Sequence, residues 1–300
     1  MKRKILILLI TGFFGSGIFA QSDTSYWQNY GDVSLNFSQS SFSNWSAGGD
    51  NTVSGTSFLN YSVDYAKGKN SWTNKLILGY GLQIINSEYT KTDDKIDFSS
   101  MYGHALKEKI DFSVLAFFKS QFAEGFDGDN KTDYISTFLA PAYVGIGPGI
   151  NFKPVDYFSV FISPATAQWV IVNDQRLADN GDFGVTPAEY DAEGNKIKDG
   201  ERVKLQFGAN LKAAFKKDIM KNVNLETTLE LFSDYLLDPQ NVIVKWDVIL
   251  DMAINDFLSA KLTTNLIYDH NIIISDAEGN PLGPRTQFKE VFSLGVGFKF

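Results

Sequence analysis

The stretch VFSLGVGFKF, Val291–Phe300, decides the fold. Phe292, Leu294, Val296, Phe298 and Phe300 share one parity, whereas Ser293, Gly295, Gly297 and Lys299 take the other, the period-two signature of a two-sided strand. A strand that ends on an outward phenylalanine would be a sticky edge in water, where soluble proteins place charges, prolines or covering loops. A closed membrane barrel has no edge to protect. The expected fold class is therefore all-β, a closed antiparallel transmembrane β-barrel. An exported soluble β-sandwich with binding function is the alternative that this stretch leaves open.

Working back from this stretch, alternation recurs from residue 30 onward. Val33, Leu35 and Phe37 oppose Ser34, Asn36 and Ser38; Leu59, Tyr61, Val63 and Tyr65 oppose Asn60, Ser62 and Asp64; Trp72, Leu76, Leu78, Tyr80, Leu82 and Ile84 oppose Thr73, Lys75, Gly79, Gly81 and Gln83. The pattern continues over residues 96–106 and 110–118, weakens in the Gly-Pro stretch FLAPAYVGIGPGINF, and returns after Tyr157 with a phase shift expected at Pro164. It is strongest over 203–215 and recurs at 223–231, 244–252 and 262–272. That gives about twelve strands, an even number as single-chain bacterial barrels require. Short connections near 67–70, 107–109, 153–156, 216–222 and 255–256 alternate with mostly longer ones at 42–51, 86–95, 123–133, 173–202, 236–241 and 275–286. Barrels of this type put short turns in the periplasm, so both termini are expected there.

The opening MKRKILILLITGFFGSGIFAQS carries Lys2, Arg3 and Lys4 before an apolar run that gives way to small residues and Ala20, a secretory signal peptide expected to span residues 1–20. Residues 21–300 are then one domain in the cell outer membrane, with no Pro- or Ser-rich linker to divide them. The chain has no cysteine, which excludes a disulfide framework and a lipid anchor. Its net charge of −8 argues against nucleic acid as a partner.

No GxGxxG, Walker A, HExxH or zinc pattern is present, and neither a cofactor nor a metal is expected. Of the two histidines, His104 and His270 both sit on apolar parities near strand ends, where an interfacial side chain explains them. The competing reading is a lipid-modifying, phospholipase-like enzyme with a histidine at the barrel rim, which needs a serine or acidic partner beside one of them. Asp127, Asp129 and Asp133 suggest a calcium loop, but Lys131 stands where an oxygen donor is required. Asp64, Lys75, Asp111, Lys119, Lys204, Lys212, Glu226, Glu230, Lys245, Asp247, Asp251, Lys261 and Asp269 all fall on the polar parity and are the candidate lumen-lining residues. Their mixed signs argue against strong ion selectivity, which uses rings of one sign. Glu290 is the exception, on the apolar parity, tolerable at an interface.

Two resemblances add to this reading. The ending is similar to the C-terminal strand of bacterial outer-membrane barrels, whose final aromatic is read by the insertion machinery; this would make that machinery a partner through Phe300, with Phe298 on the same face. The stretch LNFSQSSFSNWSAGGDNTVSG resembles the signature of a Bacteroidota outer-membrane family known only as domain of unknown function 3078, the match being carried by Asn44, Trp45, Ala47, Gly48, Gly49 and Asp50. The resemblance implies a barrel in contact with outer-membrane lipid and no established activity. Read physically, Gly48 and Gly49 permit a tight outer hairpin with Trp45 packing at the interface. The function expected is a narrow small-solute channel or a transport-linked or structural barrel without catalysis.

Overall fold

The computed structural model describes residues 25–40, 52–85, 88–126, 132–275 and 281–300. Twelve antiparallel strands close into one barrel. They are β1 (Trp27–Ser40), β2 (Thr52–Lys67), β3 (Asn70–Ile85), β4 (Glu88–Lys107), β5 (Ile110–Ser120), β6 (Ala142–Val155), β7 (Phe158–Ile171), β8 (Val203–Met220), β9 (Val223–Asp234), β10 (Val242–Ala253), β11 (Leu258–Tyr268) and β12 (Gln287–Lys299). Each strand pairs with its neighbours in sequence, and β12 returns to β1. The proposed signal peptide, the motif residues Asn44, Trp45, Gly48, Gly49 and Asp50, and Asp127 and Asp129 lie outside the described residues.

The alternation sets the register, because a one-residue slip would exchange the two faces of a strand. Leu59 stands opposite Val33 and Leu78, and Phe98 opposite Leu76 and Phe118, so apolar rows run round the outside. Leu59, Leu76, Leu78 and Phe118 are half-buried among their neighbours, Val33 and Phe98 are exposed, and Phe37, Phe292 and Phe298 reach 59%, 61% and 59%. In water such a continuous apolar belt would aggregate; around a closed sheet it matches hydrocarbon. At the short-turn end Trp27, Tyr65, Trp72 and Tyr102 follow one another on adjacent strands. The Trp27 ring is 4.9 Å from Tyr65 and 5.9 Å from Trp72, and the Trp72 indole donates to Ser100 Oγ at 2.8 Å. Rings with an apolar body and a polar edge suit a membrane interface, as an aromatic girdle requires.

Two expectations need correction. Residues 86–95 are not a long loop: β4 starts at Glu88, and Tyr89, Thr90 and Lys91 pair with Ile84, Gln83 and Leu82. The polar run looks like a loop, but Lys91 Nζ binds Asp94 Oδ2 at 2.8 Å, and Asp94 accepts the backbone N–H groups of Phe122 and Ala123. The hairpin extension is thus held by charge rather than by a greasy face. Likewise the turn placed at 216–222 shrinks to Lys221 and Asn222, with Asn222 in the left-handed region at φ 65°, because β8 continues to Met220. The phase shift at Pro164 is present: register breaks between Ile146 and Ile150, and the buried set passes from Phe161 and Ser163 to Thr166, Gln168 and Val170.

At the long-loop end, residues 173–202 form a small cap with its own core. Val172, Leu177, Ala178 and Val185 pack with Ala140, flanked by Tyr134 and Phe183. A short helix, α1 (Gln175–Asp179), is capped by Asp174, whose side chain accepts from Leu177 N at 3.0 Å and from Tyr134 Oη at 2.5 Å.

Candidate functional site

Charged side chains from several strands converge in the lumen. Lys75 on β3 and Glu226 on β9 are halfway round the barrel from each other, yet Nζ and Oε1 meet at 2.8 Å. Lys216 on β8 holds the other oxygen of Glu226 at 2.9 Å. Glu230, two inward positions along β9 with Thr228 between, takes Lys119 from β5 at 3.0 Å and Lys212 from β8 at 2.9 Å. Lys289 on β12 meets Asp93 on β4 at 3.3 Å. Lys75–Glu226 and Lys119–Glu230 reach across the lumen, Lys289–Asp93 does so nearer the long loops, and Lys212 and Lys216 face their partners from the adjacent strand. Lys119, Lys212 and Glu230 are only partly exposed, so losing one partner there leaves a charge with little water to solvate it.

Packing splits the lumen into unequal halves. On the β5–β10 side Leu115, Phe161, Phe232 and Ile243 are buried inside the barrel, and Lys245 Nζ lies 4.8 Å from the centre of the Tyr143 ring. The inward glycines of β6 make this possible. A Cβ on Gly145 would sit 2.2 Å from the Phe117 ring, and one on Gly147 would sit 2.3 Å from Thr166 Oγ1. On the opposite side, walls of serine, threonine, asparagine and lysine border three cavities. A central one of about 180 Å³ touches Lys75, Lys119, Glu226, Glu230 and Asp247. One of about 300 Å³ lies toward the long loops beside Asn36, Ser38 and Ser293, and another of about 300 Å³ lies toward the short turns beside Asp32, Asp251 and Lys299. Lys261 borders all three.

The remaining expected lumen residues are distributed along the height of the barrel. Lys212 borders the central cavity, and Asp247 accepts from Asn265 Nδ2 at 2.5 Å. Asp64 accepts from Tyr30 Oη at 2.9 Å, and its other oxygen is buried without a partner. Asp111 pairs with Lys153 at 3.1 Å near the short turns. Lys204 faces the cap, with Nζ 3.6 Å from the place a Cβ on Gly184 would occupy. Asp269 lies beyond the end of β11, where it accepts from Asn271 N at 2.9 Å. Sequence reasoning passed over Lys216, Asp97, Asp93 and Lys289 as lumen residues. Lys216 shares the parity of Lys212, which is signal enough; Asp93 was hidden by the supposed loop.

His104 Nδ1 lies 2.8 Å from Asn70 Oδ1 near the short turns, and His270 lies in the connection after β11 at the other end, so the two share no site. In the cap, Asp179 receives Lys196 Nζ at 2.8 Å, Gln175 Nε2 at 2.7 Å and the Gly200 N–H at 2.8 Å. Those bonds, that of Lys196 foremost, pull its carboxyl down to about 2.

Residues 37–126 match the model of a family described as "Protein of unknown function (DUF3078)". The matched segment runs from the end of β1 through β5 and includes the glycine-tryptophan motif. No curated protein matches the sequence. Among solved structures, the chain is similar to the COG4313 outer membrane channel from Pseudomonas putida F1, at 11% identity and TM-score 0.40, covering 93% of this chain and 98% of that one. It is also similar to the NanC porin, at 9% identity and TM-score 0.38 over 90% and 100% of the two chains. A third is the translocator domain of the autotransporter NalP from Neisseria meningitidis, at 10% identity and TM-score 0.30 over 93% and 90%. The fold itself rests on the strand pairing described above.

Proposed function

We propose that this chain is an exported barrel of the bacterial outer membrane that forms a narrow passage for small polar solutes and carries out no catalysis. The observation that supports this best is the Lys75–Glu226 bridge, which bars a wide pore yet leaves polar cavities beside it along the β11, β12, β1 and β2 wall. Twelve strands enclose more space than the eight that side chains just fill and less than the sixteen of an open aqueous channel. In this reading residues 1–20 are removed on export, the short turns and both termini face the periplasm, and Phe298 and Phe300 present the aromatic face read during insertion. The family placement in Bacteroidota belongs to the same reading.

Purified chain in planar bilayers tests it. The wild type is expected to conduct weakly with little ion preference, because cations and anions are paired across the lumen. Glu226→Ala releases both Lys75 and Lys216, so conductance should rise at least twofold and shift toward anions. Wild type and variant that are both silent would defeat the passage.

A further inference from the structure

We propose that the short-turn rim from β2 to β9 is a docking surface for anionic phospholipid, its lysines holding the lipid phosphates against one sector of the barrel. The proposal rests on the placement in a membrane and is independent of whether solutes pass through the lumen.

The short connections on this side are not separate hairpin tips. The Ala105 N–H donates to the Lys69 carbonyl at 2.8 Å, the Lys153 N–H to that of Lys109 at 2.9 Å, and the Lys216 N–H to that of Tyr157 at 2.9 Å. Each turn is thereby fastened to the next, and the residues at their tips form one continuous arc. Lys67, Lys69, Lys107, Lys109, Lys217 and Lys221 lie on that arc, and all are exposed. None of the six makes an ion pair among the described residues, whereas Lys153 and Lys216 are taken by Asp111 and Glu226. The carboxylates of the same turns are Glu108, Asp156 and Asp218, the last accepting from Asn224 Nδ2 at 2.8 Å. Unpaired ammonium groups therefore outnumber carboxylates along the arc.

The rest of the barrel does not share this charge. The turn at 254–257 has Asp256 and no lysine, and Lys299 at the end of β12 falls on the inward parity, opposite Asp32. At the other end of the barrel, residues 173–202 hold eight carboxylates against four basic groups. A chain of net charge −8 thus gathers unpaired lysine on one arc of one end.

Depth decides what the arc meets. Lys67 Nζ lies 4.4 Å from the centre of the Tyr26 ring, and Lys217 Nζ lies 4.1 Å from that of Tyr157. Those rings in turn lie 6.3 Å from Tyr65 and 5.7 Å from Phe215, both on the outward face. Trp72 and Tyr102, on the strands beside Lys69 and Lys107, belong to the same girdle. Such a girdle marks the headgroup layer, where a lysine stem lies along apolar surface and its ammonium reaches a phosphate. A zwitterionic headgroup brings its own ammonium to that phosphate. An anionic one does not, and it is the better partner for an arc of unpaired lysines.

The test places the full mature chain in phosphatidylcholine vesicles containing phosphatidylglycerol with a photoreactive diazirine near its glycerol, and maps the labelled residues against those labelled by phosphatidylcholine carrying the same diazirine. The ratio of the two labels is expected to be at least threefold higher at the turns of Lys69, Lys109 and Lys221 than at 254–257, and to fall in high salt. Lys69→Gln, Lys107→Gln and Lys109→Gln together should remove the excess at the first two turns, and Lys→Arg at the same three positions should retain it. A ratio equal in the two sectors overturns the docking surface and leaves the passage untouched, as does an excess that survives the glutamine variant. Absence of labelling on every outward residue, with either lipid, defeats the membrane placement and both proposals with it.

Discussion

The two halves of the lumen are built from the same strand geometry and solve opposite problems. Between β5 and β10 the inward positions carry Leu115, Phe117, Phe161, Phe232 and Ile243, and the glycines of β6 remove the side chains that would keep those rings out. Between β11 and β3 the inward positions carry serine, threonine, asparagine and lysine, and cavities remain. The difference shows that a barrel of intermediate size need not be uniformly open or closed. One half is filled at the waist by apolar side chains and braced by Lys119, Lys212 and Glu230, and the other half keeps polar cavities.

The largest test of that contrast removes matter from the packed half. Phe161 is 2% exposed inside the barrel, so Phe161→Ala is expected to lower stability by about 3–5 kcal/mol in urea unfolding from detergent micelles. Thr263→Ala in the open half should stay within about 0.5 kcal/mol. Equal losses for the two would end the distinction. A smaller effect is expected at the seam, where Phe300 exchanges both backbone hydrogen bonds with Gly31 and stacks 6.3 Å from Tyr61. Phe300→Ala should cost about 0.5–1.5 kcal/mol from the lost ring contact, measured the same way.

The smallest effect is local to the cap over the packed half. Asp179 has a folded-state value of about 2, below its ordinary 3.8, so its contribution is complete above about pH 4 and is lost as pH falls toward 2. The exchange protection factors of 173–202, taken against the intrinsic rates at each pH, should therefore fall between pH 5 and pH 2.5, with those of the barrel strands unchanged. Protection that falls equally in cap and barrel would show that the cap has no separate stability.

Much of this was readable in the chain. Period-two alternation with polar residues held to one parity requires strands with one apolar face. The loops read well except at 216–222, where the strand runs on to Met220, and at 88–95, where charge imitated a turn; there Lys91 pairs with Asp94, and Asp94 accepts the backbone N–H groups of Phe122 and Ala123, a contact between segments distant in sequence. The terminal aromatic read as a signal also has a structural use, since a Cβ on Gly31 would lie 2.8 Å from the Phe300 ring.

What the sequence by itself determined is the number of strands, their two faces and many of the charges that point inward, because parity is a local property of the pleat. Only the closed structure decided which charges meet and that Leu115, Phe161, Phe232 and Ile243 are buried together on the β5–β10 side. Partners such as Lys75 and Glu226 are brought together by curvature and register accumulated over half the circumference, and no local pattern along the chain encodes that sum.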